Sequence, residues 1–314
     1  MRTLFIIPIY NPEIIYFCTE LFKLANFKID LMSEKKKPKR TDFRGPGRTD
    51  SGRSKRTHFS GSGKAELQKS KPAEQGSEVR LNRYIANAGI CSRRQADMYI
   101  LAGLVSVNGK VIEKLGTKVN PGDKVSFNRQ VIKDEKKVYI IMNKPKDCVT
   151  TVDDPGAKFT VMDILGKKFA ERVYPVGRLD RDTTGILLLT NDGNLTQRLT
   201  HPSYNKKKIY HVFLDKNLTH ADLVKISKGL VLEDGTIQPD AVHYADRIDK
   251  SQVGIELHSG KNRIVKRIFE AVGYKILKLD RVYFAGLTKK GLNRGQWRFM
   301  TEKEINMLKM GAYE

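Results

Sequence analysis

Between Tyr174 and Gly193 the chain reads YPVGRLDRDTTGILLLTNDG. Arg178, Asp180, Arg181 and Asp182 are crowded into a polar turn between two apolar runs, Val173 to Val176 and Ile186 to Leu189. Loops held by rigid strands are where reactive groups are displayed, and Gly177 and Gly185 permit turns that bulkier residues resist. A carboxylate shown in this way, Asp180, has the right chemistry to capture or stabilise developing positive charge, or to take a proton. The competing reading is an Asp that closes the turn through its own backbone. Spacing alone does not choose between them.

A second charged group occurs in HSGKNRIVKRIFEAVG, from His258 to Gly273. Ile264, Ile268 and Val272 recur on one helical stripe with Val265 and Phe269 beside them, while Arg263, Lys266 and Arg267 fall at i, i+3 and i+4 on another. On this pattern the apolar residues hold the helix down and the cations point away from the core. The chain has no phosphate-cradling Walker loop, no dinucleotide fingerprint and no metal-spaced cluster.

The wording G-R-L-D-x-D-T-T-G-I-L-L-L-T-N-D-G closely resembles the catalytic motif of the RsuA/RluB group of ribosomal RNA pseudouridine synthases, and the resemblance runs from about Val79 to Met310. It implies that Asp180 is the catalytic carboxylate. It also puts Tyr210, in Lys208-Ile209-Tyr210, at the family's motif tyrosine, where it would stack on the target uracil and help remove the C5 proton. On its own a tyrosine in a strand is core or edge packing. Lys266 would be the cation that keeps Asp180 ionised, with Arg263 as second choice, and Leu279 would shape the pocket floor. Arg178 and Arg181 would either contact phosphates or brace the loop, and Asp182, Thr183 and Thr184 would fix it by hydrogen bonds.

Relatives carry Arg where this chain has Lys261 and Lys266, exchanges that keep the charge but lose the bidentate fork. They usually carry Gly where Asp147 stands in the Lys144–Asp147 turn. Asp tolerates left-handed backbone better than most residues, so the turn is expected to survive.

The implied reaction breaks the N-glycosidic bond of a uridine, rotates the uracil and rejoins C5 to the ribose. Nothing enters or leaves, so no cofactor is required. Glycosidic cleavage builds positive charge at the sugar carbon, which a carboxylate answers. Asp180 would attack the ribose carbon, attack the base or abstract a proton. It would have to stay ionised in a water-poor pocket, where burial alone favours the protonated acid. The uridine must also be flipped out of its stack, at a cost of a few kcal/mol.

The resemblance leans toward large-subunit ribosomal RNA through DDPGAKFTVMDIL, THPS and LEDG. A small-subunit target, or an RNA-binding or ribosome-assembly factor that keeps the fold without catalysis, are the alternatives. Glycoside hydrolysis needs two carboxylates of differing pKa across a sugar site and fits this chain less well. The substrate is either free ribosomal RNA or an assembly intermediate.

Bulk properties agree with a polyanionic partner. The 314 residues carry 58 Lys and Arg against 35 Asp and Glu, a net charge of +23, far beyond what solubility needs. At this level RNA, DNA and an anionic membrane all remain open. Cys18, Cys91 and Cys148 are widely separated with no CxxC, so neither disulfides nor a zinc site is expected, and a reducing cytoplasm fits.

Residues 1–32 are apolar but interrupted by Pro8, Pro12, Glu13, Glu20 and Lys23, too broken for a membrane span. Met32 is the expected natural start, with the preceding residues read as a non-native upstream segment. Residues 33–78 hold thirteen basic and six acidic residues among Gly, Ser, Thr and Pro. Such a tail is expected to be disordered, serving either RNA affinity through counterion release or solubility.

Order begins at Val79. Leu81, Ile85 and Ala88 recur at helical spacing, Gly89 ends that helix, Ser92 with Gln95 caps a second, Asn108-Gly109 signals a hairpin, and Lys124 to Phe127 is a last strand. RLNRYIANAGICSRRQADMYILAGLVSVNGK resembles the S-four-type alpha-L RNA-binding domain, which implies that Arg80, Arg83, Arg93, Arg94 and Lys110 face phosphates; a solvated helix face is the plain alternative. Residues 79–127 then form this domain, 128–137 a linker and 138–310 the catalytic domain. The latter is expected to be α+β, a mostly antiparallel sheet with flanking helices, closing with Ile276 to Leu287 as its last long strand and a helix capped by Thr301 and Glu304. A monomer is expected.

Overall fold

The computed structural model describes residues 78–133, 135–166 and 171–311; the N-terminal apolar stretch, the basic tail through Ser77 and Cys18 lie outside the described residues. The described chain opens with two helices, Leu81–Asn87 and Arg93–Leu101. Ser92 starts the second with the reciprocal cap read from sequence: its hydroxyl accepts from the Gln95 backbone N–H, and the Gln95 side chain accepts from the Ser92 N–H at 2.9 Å. Asn108 and Gly109 take φ of 50° and 83° and turn Val105–Val107 back onto Lys110–Val111. Leu81, Ile85, Ala96, Ile100, Val105 and Val125 close a small core between helices and sheet.

The run after Phe127, read from sequence as a linker, does more than connect. Asn128 and Arg129 turn the chain at φ 47° and 66°, Gln130–Val131 pairs back onto Ser126 and Phe127, and Ile132 is buried in the small core. A tight turn without glycine leaves no signal in composition, which is why the run looked featureless.

The large unit is one sheet with helices on it. Its main strands are β1 (Tyr139–Lys144), β2 (Thr183–Thr190), β3 (Lys208–Leu214), β4 (Ala241–Tyr244), β5 (Gln252–Leu257), β6 (Ile276–Phe284) and β7 (Trp297–Phe299), and they lie in the order β4-β5-β3-β6-β2-β1-β7. Every pair in this row is antiparallel except β6 with β2, so the sheet is mixed but mostly antiparallel, as the α+β expectation requires. β1 and β2 are buried along their whole length, which explains their unbroken apolar runs.

Two irregularities at the centre matter for the site. The β3–β6 register slips, so that Ile209 faces Tyr283 but Tyr210 faces Arg281, leaving Val282 as an extra residue in β6. This bulge turns both Arg281 and Phe284 toward one face, where strict alternation would have separated them. On the other side of β6, Gly185 of β2 pairs with Arg281 at φ 111°. A Cβ there would lie 2.6 Å from the Arg281 backbone nitrogen and closer still to its carbonyl oxygen. Only glycine lets β2 and β6 approach so closely.

The stretch Ile276 to Leu287 is not one strand. β6 ends at Phe284, Ala285 and Gly286 turn at φ 47° and 82°, and Leu287–Thr288 folds back onto Tyr283 and Phe284. The short edge strand β7 also gave no sequence signal. The final helix, Glu302–Met310, starts at Thr301 with the reciprocal cap to Glu304. Among the described residues no helix is long and apolar enough to cross a membrane.

Replacing Gly185 with Ala forces both a left-handed alanine and a clash with the β6 backbone. The expected loss is roughly 2–4 kcal/mol, read as a lower urea midpoint at unchanged slope; an unshifted midpoint would show that the two strands part readily here.

Candidate active site

The Asp180 loop is held from below by a lysine that carries no sequence signal of function. Lys144 ends β1 with its side chain fully buried, and its ammonium donates to the carbonyls of Thr183 at 2.8 Å, Pro145 and Asp180 at 3.1 Å and Arg181 at 3.2 Å. An ammonium's three N–H groups are thus shared among four backbone oxygens, three of them in the loop. Burial pushes its pKa down to about 8, against the pull of the Cys148 thiol and of Asp182, Asp180 and Asp147. Leu179, buried beside Asp180, is pinned by the Thr150 hydroxyl, which donates to its carbonyl at 2.8 Å and accepts from its N–H at 3.3 Å. Asp147, at φ 61°, keeps the expected turn, and its N–H donates to Arg181 at 2.9 Å.

The cation opposite Asp180 is Lys266, yet its first partner is another residue. Lys266 donates to both oxygens of Asp182 at 2.6 Å and stands 3.6 Å from Asp180 Oδ2. Asp182 is therefore more than a loop brace. Burial works against its charge, but the bond and charge of Lys266 outweigh burial and hold its carboxyl below the ordinary value. One ammonium, itself 7% exposed, serves two carboxylates. The helix Ile264–Glu270 thus sends Lys266 inward, contrary to the expectation that its cations point away from the core.

The second-choice counterion, Arg263, is not in that helix. It precedes it at φ 47°, and its guanidinium stands 3.6 Å from Glu270. Arg267 is bound to Asp234 through both guanidinium ends. The three cations share a spacing but have three separate environments.

Tyr210, Leu279, Arg281 and Phe284 line a pocket of about 180 Å³ together with Asp180, Arg178, Arg263 and Lys266. Tyr210 hydrogen-bonds Arg281, which is buried, donates from Nε and Nη2 to the Ile186 carbonyl at 2.9 and 2.7 Å, and lies 4.7 Å over the Phe284 ring. Burial lowers the pKa of that guanidinium, and Tyr210 opposes the shift. The Asp180 side chain keeps 37% of its surface, so it is wetter than the water-poor setting expected from sequence, because the pocket is open on one side. Arg178 is exposed and lines the pocket, whereas Arg181 is outside the pocket lining and stands 3.6 Å from Asp147, both side chains largely exposed. Among the described residues no cluster of side chains could hold a metal ion.

Thr200 is common to this pocket and to a broader cleft between the small and large units, where Arg80, Arg83, Arg93 and Arg94 are joined by Arg172. Arg83 is committed there: it donates to Asn194 at 2.5 Å and Gln197 at 3.3 Å, tying the first helix to the large unit. Lys110 is exposed on its hairpin and lines neither cavity. Arg281, Lys144, Lys206, Lys208 and Arg172 escaped the sequence reading. The available signal was the charge itself: Arg281 interrupts an apolar strand, and Lys206 and Lys208 alternate with Tyr210.

Lys144→Met keeps the length of the side chain but strips its donors from the loop carbonyls. The expected cost is roughly 2–4 kcal/mol of stability, with faster amide hydrogen exchange across residues 178–183. Unchanged exchange there would mean that the loop is held by something other than Lys144.

Comparison with known proteins agrees with this geometry. Residues 138–271 match the RNA pseudouridylate synthase family and residues 79–125 match the S4 domain. The chain is 38% identical to ribosomal large subunit pseudouridine synthase B of Bacillus subtilis over 234 residues, covering 73% of this chain and 95% of that protein. It is 36% identical to the dual-specificity RNA pseudouridine synthase RluF of Escherichia coli, covering 73% and 78%. A crystal structure of a pseudouridylate synthase superposes with a TM-score of 0.53 at 28% identity, over 73% of this chain and 99% of that one. With its sheet, its Asp180 loop and these relatives taken together, the chain belongs to the RNA pseudouridylate synthase family, preceded by an S4 domain.

Proposed function

We propose that the protein isomerises a uridine of ribosomal RNA to pseudouridine, that the RNA is that of the large subunit, and that Asp180 is the catalytic carboxylate. The observation that carries this reading is a carboxylate lining the same pocket as Tyr210 and Leu279, with the Lys266 ammonium 3.6 Å away. In the reaction the N1–C1′ bond breaks, the uracil turns, and a C5–C1′ bond forms while C5 loses a proton and N1 regains one. Asp180 answers the charge that appears at C1′. The Lys266 ammonium is its cationic neighbour, although Lys266 also binds Asp182 at 2.6 Å. A uracil stacked on Tyr210 covers the open side of the pocket and dries the carboxylate when the substrate is in place.

Large-subunit RNA is favoured by the sequence stretches shared with that branch and by the name of the Bacillus relative. The excess of 58 Lys and Arg over 35 Asp and Glu suits any RNA, so it does not bear on which subunit. Residues 79–127 serve as the RNA-holding domain and 138–310 as the catalytic one. Arg80, Arg93 and Arg94 line the cleft beside the pocket and are the phosphate contacts of this reading, Arg93 and Arg94 in the first turn of the helix Arg93–Leu101, whose free N–H groups also attract anions. Three separated cysteines without a pairing motif suit a reducing cytoplasm.

Asp180→Asn preserves shape and leaves the Lys266–Asp182 pair in place. It is expected to lower pseudouridine formation roughly 10³-fold or more, measured by single-nucleotide readout in ribosomal RNA of a deletion strain carrying the variant. Modification at the wild-type rate would dismiss Asp180 and favour a non-catalytic RNA-binding role for the site. Arg93→Gln and Arg94→Gln should each reduce the slope of log affinity against log salt by about 0.7–0.9, with catalysis at saturating RNA unchanged; a slope equal to wild type would remove them from the RNA interface.

A further inference from the structure

The end of the pocket beyond Tyr210 is unusually cationic. The lining includes Lys206, Lys208 and Arg281, with Lys261 already donating to the Asp234 carbonyl at 2.8 Å, and Asp180 is the one acidic residue among the described residues that line it. Lys206, Lys208 and Tyr210 are alternate residues leading into and along β3, so their side chains share the face that looks into the pocket.

Lys208 is held there with unusual care. Its ammonium donates to the Lys206 and His258 carbonyls, each at 2.8 Å, which fixes its direction and leaves one N–H of the three. The nearby carboxylates are occupied elsewhere: Asp240 is 2.6 Å from His258 Nδ1, and Glu256 is 2.5 Å from Lys207. Burial first, and then the Arg281 charge, push the Lys208 pKa down to about 8, with Asp240 pulling the other way. A partly buried lysine beside a buried arginine is an unfavourable arrangement unless an anion comes between or against them.

We propose that Lys208, with Lys206 behind it on the same face of β3, binds the phosphodiester adjoining the flipped uridine. Alternate residues of a strand stand about 7 Å apart, a distance one nucleotide spans between its base and its phosphate. A base on Tyr210 thereby brings a flanking phosphate to Lys208, and the charge-assisted bond offsets part of the unstacking cost. Lys208 is a substrate-positioning residue, and its assignment rests on the reading of the site as a pseudouridine synthase.

The test is a double-mutant cycle between protein and RNA. Three RNA fragments carry the uridine that the enzyme converts: one unaltered, one with a neutral methylphosphonate on its 5′ side and one with it on its 3′ side. Lys208→Met is expected to lower kcat/KM about 10- to 100-fold on the unaltered RNA. On one of the methylphosphonate RNAs the same substitution should cost less than about 3-fold, because the charge it answers is already gone. An equal penalty on all three RNAs would reduce Lys208 to a brace of the pocket wall and overturn the proposal. Wild-type protein supplies an arm independent of the variant's folding: if neither methylphosphonate lowers its kcat/KM, no phosphate is bound and the proposal fails. If wild type leaves the unaltered RNA unconverted, the synthase reading itself falls and this inference goes with it.

Discussion

A single ammonium, that of Lys144, gathers the carbonyls of Pro145, Asp180, Arg181 and Thr183 around one point beneath the Asp180 loop. Carbonyl groups that converge in a buried space repel one another and need donors. A lysine at the end of β1 meets that need because β1 is hydrogen-bonded to β2, and β2 begins where the loop ends. The loop's shape therefore depends on a contact between residues 36 to 39 positions apart in the chain. The position of Asp180 follows from that shape, and Lys266 and Asp182 act on a carboxylate already placed.

Charge is arranged in two layers around this point. Beneath the pocket, Lys144 and Arg281 are buried and satisfied by backbone oxygens and by Tyr210. In the pocket wall, Lys266 is shared by two carboxylates. The sharing has a consequence for Asp180. The ammonium is anchored 2.6 Å from Asp182 and attracts Asp180 from 3.6 Å, so Asp180 is not tied up in a direct hydrogen bond to it.

The parts legible in the sequence were those decided locally. The caps at Ser92 and Thr301 and the Asn108-Gly109 turn depend on neighbours a few residues away. Asp180 was legible because its loop is a contiguous phrase. What stayed hidden depends on register. Arg281 reaches the pocket only because Val282 bulges out of β6 and Gly185 admits β2 closely, and neither fact is written in the strand's composition. Lys266 was assigned to the right neighbourhood and the wrong first partner, since a helical stripe says which residues align but not which of two carboxylates a loop will offer. Arg263 shows the limit of the same argument: it matches the i, i+3 spacing, yet the helix begins one residue after it.

The bulge also ties the two ends of the pocket to each other. Tyr210 faces Arg281 and Lys208 faces Phe284, and the extra residue between those two pairings makes both possible on one face of the sheet. Arg281 then touches Tyr210 by a hydrogen bond, covers Phe284 and sets its charge beside Lys208. A base lying on the tyrosine and an anion lying by the lysine would both be reading the same buried guanidinium. Moving β6 by one residue would separate Arg281 from Tyr210 and Phe284 from Lys208 together, whereas Lys144 holds the Asp180 loop from the other side of β2.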